Sequence, residues 1–285
     1  MGTVTALYRY PVKSMLGEAL TSVEVTEGGL HGDRVAAALD DGTGAVASAK
    51  HPRKWGGLLR CRSRLADPDT GRGTVLVELP DRVVLPVGDP ELDARLSKLL
   101  GRPVSLSDTP PTHGGTLERA VPAYEGGVPD ALRSTAAVDA TGAAITSGRV
   151  AAGTFFDYGT VHLVTTSALD RLRAAHPAGD FDPRRFRPNL VVATPDGTGF
   201  PEDTWVDAKL RIGDALFRVV VPTPRCVVPT LGHDDLPPDP EIMRAVAREH
   251  RVPVHDLGRL SCVGVYLDVL EPGTVRVGDT FAREG

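Results

Sequence analysis

Cys226 is the side chain in this sequence with the clearest capacity for covalent or metal chemistry. It sits in Pro222-Thr223-Pro224-Arg225-Cys226-Val227-Val228-Pro229-Thr230, directly after a strand-like apolar run over residues 216–221. The two prolines cannot donate ladder hydrogen bonds, so the strand is expected to stop there and deliver the cysteine in irregular backbone. Arg225 beside it favours the thiolate, the form that attacks electrophiles and ligates soft metals. The plainer alternative is a small hydrophobe filling a gap after a strand. This stretch alone leaves both open.

Four basic motifs stand out in a chain of net charge -5: Lys13-Ser14, Gly32-Asp33-Arg34, Lys50-His51-Pro52-Arg53, and Arg184-Arg185-Phe186-Arg187-Pro188-Asn189. Each follows or precedes a strand pattern, so they could converge at one end of the sheets. A lysine point charge, forked guanidiniums and a hydroxyl are the ingredients of a phosphate pocket. Asn189 adds an amide that donates and accepts together, which suits a purine-like or pterin-like ring edge. The alternative is that these cations pair with Asp33, Asp182 and other carboxylates on a solvated surface. Asp157, set between aromatic residues, reads either as a buried proton-handling carboxylate or as a turn cap.

Other chemistries find less support. The three cysteines, Cys61, Cys226 and Cys262, form no C-x-x-C pair, which excludes a four-thiolate iron–sulfur cluster and argues against a disulfide scaffold. The eight histidines show no metal-ligand spacing, and no P-loop, dinucleotide fingerprint or nucleophile elbow is present. The acidic balance speaks against nonspecific nucleic-acid binding. No run approaches the ~20 apolar residues of a membrane span, and no signal-peptide pattern opens the sequence. The expectation is a cytoplasmic protein.

The elements that must position these residues are mostly short strands. Alternation predicts strands near residues 4–10, 20–25, 35–40, 75–79 and 82–86. Asp89-Pro90-Glu91 opens a helix that Gly101 ends. Residues 108–130, with Pro110-Pro111, Gly114-Gly115 and Gly126-Gly127, read as a linker or loop. Strands are expected at 161–164, 190–193, around Leu210 and Phe217, and at 263–270 and 274–277. Helices follow at 168–175 and, after Asp239-Pro240-Glu241, at 242–250. The predicted class is mainly β with minor α (α+β). Two β-rich, barrel-like domains, 1–107 and 131–285, are joined by the linker 108–130, with a cofactor cleft between them.

The chain resembles the MOSC family (molybdenum cofactor sulfurase C-terminal domain) preceded by its N-terminal β-barrel domain. The resemblance is carried in the first half by Tyr10-Pro11-Val12-Lys13-Ser14, Gly28-Gly29-Leu30-His31-Gly32-Asp33-Arg34 and Ser48-Ala49-Lys50-His51-Pro52. In the second half it rests on Phe156-Asp157, His162-Leu163, Arg185-Phe186-Arg187-Pro188-Asn189, Glu202-Asp203-Thr204-Trp205 and Pro224-Arg225-Cys226, with Gly264-Val265-Tyr266 beyond. Within the family it is similar to the amidoxime-reducing proteins. The resemblance implies a molybdenum-pterin cofactor (Mo-molybdopterin) between the domains, with Cys226 as the metal ligand. Lys13, Ser14, Arg34 and Lys50 then fall on the phosphate side, and Arg187 and Asn189 on the pterin side. Arg185 and Arg225 complete the cationic set, and Asp157 lies near the metal. It also carries a family-level description of pyridoxal phosphate binding.

The implied activity is a molybdenum-dependent oxidoreductase that reduces N-hydroxylated or other N-oxygenated small molecules. Electrons would come from a separate flavin or iron–sulfur donor protein, because no ferredoxin-like extension follows. Two departures stand in the motifs. Pro229-Thr230-Leu231-Gly232 replaces the two threonines and aspartate that related reductases carry after the cysteine, and Lys50 stands where many carry arginine. Two other readings use the same residues: sulfur transfer through a persulfide on Cys226, and a molybdenum cofactor-binding module without turnover.

Overall fold

A computed structural model describes residues 2–67, 72–121, 136–139, 144–194 and 197–284. Seven strands close into a barrel. Around its wall they run Val161–Thr165, Leu190–Ala193, Gly2–Arg9, Thr280–Glu284, Lys209–Ile212, Ala215–Pro224 and Arg259–Glu271, and the last pairs back onto the first. Val161–Thr165 and Leu190–Ala193 are parallel, joined by a crossover through the helix Thr166–Ala175. The mainly β class expected from sequence is the class observed.

Every residue of Val161–Thr165 is buried because its two faces serve two cores. Val161 and Leu163 point into the barrel with Leu7, Leu190, Phe217 and Leu267. Val164, from the other face, packs under the helices Thr166–Ala175 and Glu241–Glu249 with Leu172 and Ile242. The first helix is capped by Thr165, whose Oγ1 accepts from the Ala168 amide at 3.2 Å.

A separate core, built on Val12, Met15, Trp55, Leu58, Leu92 and Leu96, holds the rest of the first half together. Small sheets surround it: Ala37–Asp40 with Val104–Ser107, and Arg62–Asp67, Arg72–Glu78 and Val84–Pro86. The helix Pro90–Leu100 starts and stops as expected. Asp89 Oδ1 accepts from the Glu91 amide at 2.8 Å, and Gly101 ends it in the left-handed region at φ 66°.

The structure departs from the sequence expectation in three places. The first strand, Gly2–Arg9, is not in the first-half core; it lies in the barrel between Leu190–Ala193 and Thr280–Glu284. Gly273–Arg276 reciprocates by pairing with Ser22–Thr26. A boundary at residue 107 thus divides neither the sheets nor the barrel core, to which Val4, Leu7, Leu20, Val23, Val25 and Leu30 belong. Within the expected linker, Thr116–Ala120 is a strand paired with Ala144–Arg149, and residues 122–130 lie outside the described residues. Finally, Ala215–Pro224 runs through both prolines: Pro222 pairs with Val265 and Pro224 with Cys262. Register shifts at residues 219–221 and 222–224 absorb the missing donors, as bulges do. Cys226 therefore comes two residues after the strand ends.

Candidate functional site

One cleft at the seam between the halves gathers Lys13, Ser14, Arg34, Lys50, Asp157, Arg187, Arg225 and Cys226. The first-half side is fixed by zipped loops. The Tyr10 amide donates to Asp33 Oδ1 at 2.7 Å, the Arg34 amide to Tyr10 O at 2.9 Å, and the Lys13 amide to Ala36 O at 2.9 Å. Ser14 Oγ accepts from the Ala49 amide at 3.0 Å, which ties the Lys50 loop alongside. Ser14 (φ 65°), Arg34 (φ 51°) and Arg187 (φ 54°) are all left-handed without being glycine. Such backbone costs on the order of 1 kcal/mol or more per residue and clusters at ligand clamps.

Asp157 is the centre of the charge arrangement. Its Oδ1 accepts from Lys13 Nζ at 2.6 Å and its Oδ2 faces Lys50 Nζ at 2.5 Å. Lys13 also donates to Phe155 O at 2.7 Å. Burial alone would raise the Asp157 carboxyl, but the two ammonium groups outweigh it and hold it far below the usual carboxylate range. Burial brings Lys13 down to about 8, against the pull of Asp157 and with some help from Lys50. Burial also lowers Lys50, but Asp157 and then the nearby Cys226 outweigh it, and the net direction is upward. Lys50, 176 positions away in sequence, thus shares the cleft with Cys226.

The guanidiniums form the far wall. Arg187 Nη1 donates to Met15 O at 2.6 Å, and its Cζ lies 4.2 Å from the Tyr10 ring centroid. Arg34 pairs with Asp33 and sits between the rings of Tyr10 and Phe156. Arg225 Nη2 donates to Phe186 O at 2.7 Å, while its Nε is buried with no protein partner. Five cationic side chains and one carboxylate line the cleft. Buried charge of one sign in that excess calls for an anionic occupant.

Cys226 is half-buried, against Ala49, Leu59, Val228 and Leu231. The other two thiols are buried, and burial pushes both up to about 12, so they stay protonated and inert. Two expected site residues stand elsewhere. Arg185 is fully buried and spends its guanidinium on backbone carbonyls: Asp180 at 2.7 Å, Pro229 at 3.2 Å and Pro237 at 2.8 Å. It anchors the segment after Cys226 and does not line the cleft. Asn189 accepts from the His162 amide at 3.1 Å and donates to Tyr8 O at 3.3 Å, which locks two barrel strands together.

Of the lining residues, Leu59 was not singled out in the sequence, and His162 and Tyr266 entered only as parts of resemblance motifs with no site role given to them. His162 is buried, with Nε2 3.1 Å from Val263 O; burial and then Arg225 lower it to about 3, so the ring is neutral. A lone histidine inside an otherwise apolar strand was the available signal. Leu59 gave none, because its apolar pattern is that of ordinary core.

Among the described residues, no three histidine, cysteine or carboxylate side chains are grouped to hold a metal. A metal held by Cys226 would therefore need ligands beyond these side chains, such as those of a bound group. The excess of cations and the unpaired Arg225 Nε fit such a group if it is anionic.

Barrel, companion half and seam cleft together define a two-part β protein with an anion-and-thiol site. The chain belongs to the MOSC family: the MOSC domain matches residues 151–282 and the MOSC N-terminal beta barrel domain residues 1–94. It is 34% identical over 102 residues to mitochondrial amidoxime reducing component 2 of Homo sapiens, a stretch covering 34% of this chain and 29% of that protein. Its identity to the Rattus norvegicus protein is 35%, with the same coverage. The match thus spans under a third of these relatives' length. Among solved structures, the YUAD protein of Bacillus subtilis matches with TM-score 0.43 and 12% identity, covering 98% of this chain and 93% of that one. Among the described residues, no helix is long and apolar enough to cross a membrane.

Proposed function

We propose that the chain is a molybdenum-pterin-dependent oxidoreductase that reduces N-hydroxylated or other N-oxygenated compounds. The observation that carries this reading is the meeting, in one cleft, of a half-buried thiol with five cationic side chains. Membership of the MOSC family and the likeness to amidoxime reducing components support it. Lys13, Ser14 and Lys50 would hold the cofactor phosphate. Arg34, Arg187 and Arg225 would neutralise its remaining charge, and Cys226 would ligate the metal. When bound, that group would supply the two-electron chemistry of oxygen removal. The chain's own part is to orient and to manage charge. Asp157 keeps two lysines charged and aligned at the cleft, and neutral His162 presents an uncharged wall beside Arg225. Electrons come from a separate donor protein.

The test is metal and pterin analysis of protein made in a molybdenum-replete host. Near-stoichiometric molybdenum and pterin are expected, with molybdenum lost in Cys226→Ala. Less than about one molybdenum per ten chains, with none gained on adding cofactor, overturns the reading.

A further inference from the structure

A second cavity lies against the first. It is a groove of about 500 Å³ between the first-half residues Leu16, Arg60, Arg62 and Leu79 and the segment Gly232–Pro238 that follows Cys226. Leu59 is common to both: it lines this groove and also the cationic cleft, where it packs in the cluster that holds Cys226. The groove's charges are largely spent on one another. Arg62 pairs with Asp234, and Arg82 with Glu78 at 2.7 Å, while Asp235 is taken by Arg184 at 2.8 Å. Between these pairs the lining is mostly leucine and proline, with the exposed Arg60 beside them. The cleft has the opposite character, an excess of cations with only about 90 Å³ of room.

We propose that this groove binds the body of the substrate, and that Leu59 is the residue that decides which bodies reach Cys226. The inference rests on the oxidoreductase reading for what is reduced, but not for the route. An uncharged molecule with an aryl or alkyl body fits the paired charges and apolar lining. A cationic body does not, since the groove's carboxylates are already paired and leave its desolvation uncompensated. The cleft receives only the polar head, because anion-binding side chains fill the rest. Selectivity between small and large substrates therefore resides at Leu59 and along the groove, away from the cations.

Gly232 provides the test. It lines the groove, does not line the cleft, and has no positive φ; a Cβ there meets its nearest neighbour, Leu236 O, at an ordinary 3.6 Å. Gly232→Phe should thus fold normally and obstruct the groove. Cys226 alkylation is followed by peptide mass spectrometry on the full chain made without cofactor, using iodoacetamide as the small neutral reagent and N-phenylmaleimide as the aryl one. Gly232→Phe is expected to slow the maleimide about tenfold with iodoacetamide unchanged. Leu59→Val, which trims the shared wall, should speed the maleimide selectively. Equal effects on both reagents, or none, overturn the route. With cofactor-loaded protein, Gly232→Phe should raise KM for an aryl amidoxime but not for hydroxylamine; equal KM changes, or none, overturn the substrate assignment. Absence of any turnover in the unsubstituted chain, with the alkylation selectivity intact, overturns the oxidoreductase reading and leaves the route standing.

Discussion

Lys13 Nζ reaches Asp157 Oδ1 at 2.6 Å across 144 positions of sequence, and this contact joins the two halves at the centre of the cleft. It is a buried ion pair in a cationic setting, so its carboxylate does for the protein what a ligand's anion would do. Asp157→Asn should leave Lys13 and Lys50 facing each other uncompensated, at a cost of about 3–5 kcal/mol. Thermal unfolding would show a large drop in Tm, partly restored by millimolar phosphate. A variant as stable as the parent would mean that the lysines find other partners.

Anion binding at the cleft should weaken as pH rises through about 8, where Lys13 loses its proton. A bound anion raises that pKa, so affinity is complete below about 8 and declines above it. The stability contribution has the opposite trend. Lys13 binds its proton less readily folded than unfolded, so its penalty eases from about pH 8 toward its ordinary value of 10.5. Phosphate binding by calorimetry between pH 7 and 9 checks the first statement. Lys13→Arg should flatten the profile.

Glu202, in the short helical turn Pro201–Trp205, is buried, accepts from Thr165 Oγ1 at 2.7 Å, and leaves its other oxygen unpartnered. Burial pushes its carboxyl up to about 7, opposed by the Thr165 bond. The folded form holds its proton more tightly than the unfolded form, so the penalty for ionising it grows from pH 4.5 to about 7. Glu202→Gln should therefore stabilise the protein at pH 8 by roughly 1–3 kcal/mol and do little at pH 4.5. Urea midpoints at the two pH values decide it.

Arg185→Lys should be nearly as damaging as Arg185→Met. An ammonium cannot reproduce the fork that spans the carbonyls of Asp180, Pro229 and Pro237. A loss of about 3 kcal/mol or more is expected for either. The distinguishing measurement is phosphate affinity at the cleft in the surviving folded fraction, which should be unchanged because Arg185 does not line it.

Much of the site was legible because its chemistry is written in residue types that are costly to bury. Lys13, Arg34, Lys50, Arg187, Arg225 and Cys226 stand out in an acidic chain, and all line one cleft. The same logic misplaced Arg185 and Asn189. A buried guanidinium or amide satisfies backbone groups as readily as a ligand, and sequence does not say which. Leu59 was invisible for the converse reason, since a gating leucine has the pattern of a core leucine. In the fold, Asp89 and Gly101 announced their helix through local capping. Thr280–Glu284 and Thr116–Ala120 depend on distant partners, and their own residues alternate too weakly to announce a strand.

The placement of Gly2–Arg9 inside the barrel bears on how the molecule is assembled. Thr3 pairs with Ala193 on one side and with Thr280 on the other, so the strand made first waits for some of the last to be made. Barrel closure is then a late, long-range event, of the kind that folds slowly and exposes unpaired edges meanwhile. A fragment limited to residues 151–282 would be a barrel with a stave missing. It would present two raw edges to any neighbouring chain, and the gap would be flanked by Leu190–Ala193 on one side and the remnant 280–282 of the last strand on the other.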